Sequence, residues 1–245
     1  MSVGQTAART PAANTAQESR GFFHRTLKLI LWIAASLLIS ILIEWVGMTW
    51  WWPEQGADRA RLMLETEIGF LASTARESLL VDDTEAYARQ AAETGHDWVW
   101  RRTGLEWALL AASRPPGSDA GSLRHWMHAA WQAIREYAEA AIFITQLFFV
   151  RLAVLSLSMP AFLLAALMGL LDGAVQRDLR RWGGGRESSF IYHHARRLIW
   201  PAFIATWVIY LSLPVSVHPT LIVIPFAAAT GMMIAVTVAT FKKYL

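Results

Sequence analysis

The stretch from Asp172 to Arg197 reads DGAVQRDLRRWGGGRESSFIYHHARR, with six arginines, no lysine, three consecutive glycines and two adjacent histidines. Three chemistries suit such residues. The first is anion binding. Arg177, Arg180, Arg181 and Arg186 around Trp182 are suited to anionic lipid, nucleic acid or an acidic protein face. The second is a phosphate cradle at Gly183-Gly184-Gly185-Arg186-Glu187-Ser188-Ser189. It lacks the lysine and the preceding buried strand of a phosphate loop, so it reads as a turned link between two helices. The third is metal ligation. His193 and His194 are neighbours and point about 100° apart on a helix, which suits a partner-facing role better than a shared ion. His125 and His128 lie three apart, but a third ligand has no evident place, with Glu106 or Asp119 as the candidates.

Catalytic sets are missing from the sequence. There is no H-E-x-x-H and no G-x-S-x-G. There is no cysteine, which excludes disulfide and thiolate chemistry. We expect a protein that is not an enzyme and carries no cofactor or metal.

The elements that must position this stretch are membrane helices. Hydrophobic residues make up 55% of the 245, with 13 tryptophans, a share ordinary for a polytopic membrane protein. A bilayer core needs roughly 20 apolar residues as helix. Four runs qualify, from about Leu27, Leu152, Leu198 and Leu221. None alternates as a membrane β-strand does. The expected fold is therefore an all-α polytopic membrane protein with four transmembrane helices, a helical periplasmic segment between spans one and two, and a long second-span helix projecting into the periplasm.

Arginine and lysine set the orientation. They cluster in the N-terminal tail, in the central loop and at Lys242 and Lys243, which an even number of spans places together in the cytoplasm. The first apolar run is too long for a signal peptide and ends without a cleavage site, so it reads as an uncleaved anchor. We divide the chain into a disordered cytoplasmic tail (1–26), a first span (27–47), a periplasmic helical region (48–137) and a long helix holding the second span (138–176). A cytoplasmic arginine- and glycine-rich loop (177–197), a third span (198–217), a fourth span (220–241) and a cytoplasmic end (242–245) follow.

Smaller features refine this layout. Trp45, Trp50, Trp51 and Trp52 suit an outer aromatic belt. Residues 58–80 and 83–112 read as helices, the latter interrupted at Gly95 or Gly104. The apolar run from Ala138 to Leu171 exceeds a bilayer core, so its outer third should carry the periplasmic helices, with Arg151 reaching to the interface. Span two holds Ala161, Ala165, Gly169 and Gly173 at four-residue spacing, and span four holds Ala227, Gly231, Ala235 and Ala239. Such stripes are expected contact faces, because small residues let helices approach closely in lipid. The span centres hold only Ser, Thr and Tyr as polar groups, which argues against an ion pathway within one subunit.

An orientation signal requires positive charge alone. The loop is richer than that, and here the chain resembles a known family. The matching residues are Asp172-Gly173, the run Arg177-Asp178-Leu179-Arg180-Arg181-Trp182-Gly183-Gly184-Gly185-Arg186-Glu187-Ser188-Ser189, and Tyr192-His193-His194-Ala195-Arg196-Arg197. The resemblance is to membrane proteins encoded in integrating conjugative elements and related plasmids of proteobacteria, beside the gene for the type IV coupling protein. The Trp-rich exit from span one and the proline-containing third span are also similar, so the likeness covers most of the chain from Thr26.

The resemblance implies a role in conjugative DNA transfer and brings no catalytic residue or cofactor. The expected function is a non-enzymatic inner-membrane component of a conjugative type IV secretion system that supports the coupling ATPase or complex assembly. Partner contact is expected from Arg177, Arg180, Arg181, Trp182, Gly183, Gly184, Gly185, Arg186, Glu187, Tyr192, His193, His194 and Arg196. Other secretion-system membrane subunits, the lipid bilayer and a homo-oligomer are further expected partners; sequence-specific nucleic-acid binding is not expected. The rival expectation is a small oligomeric transporter or pore.

The arginine distribution predicts both termini and Gly184 in the cytoplasm and Gly117 outside. Alkaline phosphatase fused at Gly117 should be active and at Gly184 inactive. The reverse pattern would overturn the topology.

Overall fold

The computed structural model describes residues 11–74, 80–114, 122–183 and 189–241. Over these the chain is all-helical: α1 (Pro11–Trp50), α2 (Gly56–Thr74), α3 (Thr84–His96), a π-helical turn (Asp97–Arg101), α4 (Leu105–Ser113), α5 (Ser122–Leu157), α6 (Met159–Trp182), α7 (Ser189–Ser212) and α8 (Pro219–Ala239). Three helical segments are long and apolar enough to cross a membrane: Ile30–Trp50, Ile134–Trp182 and Pro219–Ala239.

Several expected boundaries move. Helix α1 starts at Pro11, inside the tail expected to be disordered; proline suits a first helical turn, and the following Ala and Gln are helix formers. The expected long second-span helix is two helices. Pro160 has no N–H to continue the ladder, so α5 ends at Leu157 and α6 restarts with Pro160 in its first turn. The expected loop 177–197 is largely helix as well, since α6 runs to Trp182 and α7 begins at Ser189. Arg, Leu and Gln carry the helix that far, and the Gly183 N–H closes it on Leu179 O at 3.0 Å. Helix α7 stops at Ser212, short of Val217, because Leu213 precedes Pro214 and is pushed out of the helical region. Pro201 and Pro225 lie inside α7 and α8. Gly104, at φ +77, breaks the chain before α4, whereas Gly95 does not break α3. It is buried there, where a Cβ would strike the Phe149 ring.

Two packing regions result. In the first, α2 and α3 pack on α5. Helix α2 turns Ala60, Met63, Leu64, Ile68 and Leu71 inward, the spacing of one helical face; Leu62 points out. Helix α5 is buried nearly all round through Ala140, Ile144, Leu147, Phe148, Val150, Val154 and Leu155. Half of the long apolar run is therefore the core of a helical layer. The other half, α6, exposes Leu163, Leu164, Leu167, Met168, Leu170 and Leu171.

The second region is the α6–α8 pair, which run parallel, as Gly169 meets Gly231 and Gly173 meets Ala235. A Cβ on Gly169 would strike the backbone carbonyl of Gly231, one on Gly173 would come within 2.5 Å of Ala235 O, and one on Gly231 within 2.6 Å of Ala165 O. Ala227, Ala235 and Ala239 are buried on the same side of α8. Ala161 is exposed and outside this contact. Its neighbour Phe162 fills the wider end, packed with Val223 and Ala227, where the two helices have room for a ring.

This geometry gives the second prediction. Gly169→Leu or Gly231→Leu should each separate α6 from α8 and destabilise the protein by about 3 kcal/mol or more, since neither backbone can retreat from the other. Leu167→Ile, on the exposed side of α6, should change little. Melting of the detergent-solubilised variants is the measurement; wild-type melting of both glycine variants would show that the contact does not hold the helices.

Candidate functional site

At the end where α6 finishes and α7 starts, the arginine-rich residues divide into two sets. One set is structural. Arg180 reaches across to donate to the carbonyl of Ala239, the last residue of α8, where a cation also favours the helix dipole. Arg177 is half-buried beside it. Tyr192 is buried, its ring edge-on to Phe241 at 5.9 Å and its hydroxyl accepting from Arg196 at 3.3 Å. Tyr192 and Arg180 are thus turned inward, against the expectation that they face a partner. Both lie on the α6/α7 sides that meet α8, which the sequence reading treated as loop.

The other set is outward. Trp182 is 92% exposed, and Arg181, His193, His194 and Arg196 are exposed as well. His194 stacks on Phe190 at 4.0 Å between centroids and pairs with its carbonyl, so His193 and His194 point to different neighbours. Gly184, Gly185, Arg186 and Glu187, expected to meet a partner, lie outside the described residues. So does the side chain of His125, while His128 sits 3.4 Å from the carbonyl of Ala112. Among the described residues no three His, Asp or Glu gather as metal ligands.

The opposite end holds a charge network that sequence reasoning missed. Arg151, expected to reach toward the interface, is only 3% exposed. Its Nε and Nη2 donate to Glu67 Oε1 of α2 at 3.0 and 2.6 Å. Tyr210 of α7 donates to the other oxygen at 3.3 Å. Arg151 also donates to the carbonyls of Leu213 at 2.6 Å and Val215 at 3.1 Å. A second pair repeats the device: Arg59 of α2 holds Glu44 of α1 at 2.9 Å and donates to the carbonyl of Pro214. The Arg59 guanidinium lies 3.7 Å over the Trp52 ring.

The purpose follows from where those carbonyls are. Helix α7 ends at Ser212 and α8 begins at Pro219, so Leu213, Pro214 and Val215 form a turn outside any helical ladder. Unpaired carbonyls next to a bilayer cost several kcal/mol each. Two arginines supply the donors, and two carboxylates neutralise the arginines. Burial pushes the Glu67 carboxyl above the usual carboxylate range, and the Arg151 guanidinium opposes this without cancelling it. Desolvation is the larger effect, so each charge depends on its partner. One signal was legible. Glu67 interrupts the apolar face of α2 between Leu64 and Ile68, and Arg151 interrupts an apolar run. Two such interruptions of opposite sign call for each other.

Removing one partner should therefore cost more than removing both. Arg151→Met should destabilise by about 3–5 kcal/mol, because it strands Glu67 and two carbonyls. The double variant Glu67→Leu/Arg151→Met should recover part of the loss by removing the stranded charge. Thermal melting in detergent reads both. A double variant less stable than Arg151→Met would show that the pair does not compensate charge.

Comparison with known families matches residues 51–242, from the end of α1 through α8, to the family described as DtrJ-like, IncC plasmid conjugative DNA transfer protein. This agrees with the resemblance carried by the arginine- and glycine-rich residues. Comparison with curated proteins and with solved structures finds no match. With most of its length matched, the chain belongs to the DtrJ-like family of conjugative DNA transfer proteins.

Proposed function

We propose that this protein is a non-enzymatic inner-membrane component of a conjugative type IV secretion system, and that its Trp182 face binds the coupling ATPase. In this reading α1, α6, α7 and α8 are four spans, both termini are cytoplasmic, and the α2–α5 layer is periplasmic. The observation that carries it is the 92% exposure of Trp182 beside exposed Arg181. Arg180 and Tyr192 are engaged with α8 and Phe241, whereas Trp182 is bare and Arg181, exposed beside it, makes only a long 4.0 Å pairing with Asp178. An exposed tryptophan with adjacent arginine is the composition of an interface hot spot. Charge pairing with an acidic partner would add orientation.

The far end supports docking to further subunits. Trp107 and Leu110 of α4 and Leu123 and Trp126 of α5 are exposed. Trp126 precedes Arg151 by twenty-five residues of continuous helix, about 37 Å. Lipid around α6 does not reach that far, so a protein surface is the natural cover for these side chains.

The transporter alternative needs an ionisable group available within the spans. Glu44 on α1 instead engages Arg59, which favours the scaffold reading.

Trp182→Ala and Arg181→Glu should each lower transfer frequency and co-purification with the coupling ATPase in parallel, at unchanged protein level. Loss of a buried interface tryptophan corresponds to about 2 kcal/mol, roughly 30-fold in affinity. Arg181→Lys keeps the topology signal and should weaken transfer less, to the extent that planar pairing matters. Transfer at wild-type frequency with all partners retained would reduce this end to an orientation signal.

A further inference from the structure

Between α3 and the last turns of α5 lies a cavity of about 340 Å³, the size at which small-ligand sites begin. Its floor is carbon, from Phe149, Leu152 and Ala153, and its rim is neutral and polar, from Tyr87, Gln90, Thr94 and Ser156. We propose that this cavity binds one acyl chain of a membrane phospholipid.

Three observations select that occupant. The first is charge. The lining contains no ionised group, so it neither holds a phosphate nor pairs with a charged peptide, whereas the Tyr87 hydroxyl and the Gln90 amide on the rim are donors that suit the ester oxygens at the top of an acyl chain. The second is shape. A partner helix is about 10–12 Å across with its side chains and does not enter a space of this size; an extended hydrocarbon does. The third is continuity. Leu152 and Ser156 line the cavity in the last turns of α5, and α6 follows after a single residue, Ser158. Leu163 and Leu167 are exposed. An apolar track therefore runs from the bare flank of α6 up to the cavity, past the Ser158 junction.

The inference rests on α6 being embedded in lipid, and the test separates the two. The full-length protein is placed in nanodiscs of phosphatidylethanolamine and phosphatidylglycerol doped with a phospholipid whose acyl chain ends in a diazirine. After illumination, adducts are mapped by peptide mass spectrometry. We expect adducts on α6 around Leu163–Leu171 and also on α3 between Thr84 and His96. Thr94→Trp and Ser156→Trp, two substitutions at exposed rim positions on different helices, should each cut the α3 adducts by about tenfold and leave those on α6 unchanged. No adducts on α6 would overturn the membrane reading. Adducts on α6 with none on α3, or α3 adducts indifferent to both rim variants, would overturn the acyl-chain site alone. A photoreactive residue at Thr94 that cross-links to another polypeptide in donor cells would also overturn it, assigning the cavity to a protein side chain.

Discussion

The structure turns on three backbone carbonyls. Leu213, Pro214 and Val215 connect α7 to α8 without a helical ladder, next to helices built for lipid. Arg151 and Arg59 supply the missing donors, and each draws a carboxylate with it, Glu67 and Glu44. One turn thereby recruits α1, α2, α5 and α7 into a single contact. Ser40 adds a hydrogen bond to the Leu211 carbonyl, and Ser216 one to that of Met63. The hydrophobic effect places α2 against α5, but it is indifferent to small rotations and slides. The directional bonds of the guanidinium groups fix which residue of α2 faces which residue of α5.

The α6–α8 pair is held by the opposite means. Its polar link lies at one end, where Arg180 donates to the Ala239 carbonyl. Gly169, Gly173 and Gly231 remove side chains so that backbone meets backbone, and dispersion over a close surface does the rest. The two modes suit their surroundings. In lipid, association has no hydrophobic drive and depends on fit. In the α2–α5 layer apolar burial is available, and polar bonds are used for register.

Legibility in the sequence followed the range of the interaction. Helical period, small-residue spacing and arginine clustering are local patterns, and they were enough to anticipate an all-helical chain and a conjugation family. Where a stop was local but chemical, the reading slipped. Pro160 divided a run that hydropathy joined, and Pro214 shortened α7. Helix formers between Arg177 and Trp182 extended α6 into what charge alone marked as loop. The Arg151–Glu67 pair spans 84 positions, and no pattern in a short window contains it. The inward contacts of Tyr192 and Arg180 were hidden for a related reason: both belong to a cluster of like residues, and only the approach of α8 and Phe241 shows which of them meet it.

The charge network also orders the protein in time. The chain is made from its N-terminus, so Glu44, Arg59, Glu67 and Arg151 exist before Leu213–Val215 do. The carboxylates and arginines can find one another early, and that half-built cluster already carries guanidinium N–H groups with nothing yet to bind. The α7–α8 hairpin emerges after them, and its turn fits those donors. The later helices thus meet donors that earlier ones carry, and a chain truncated before residue 213 would be left with a receptor for a ligand it never makes.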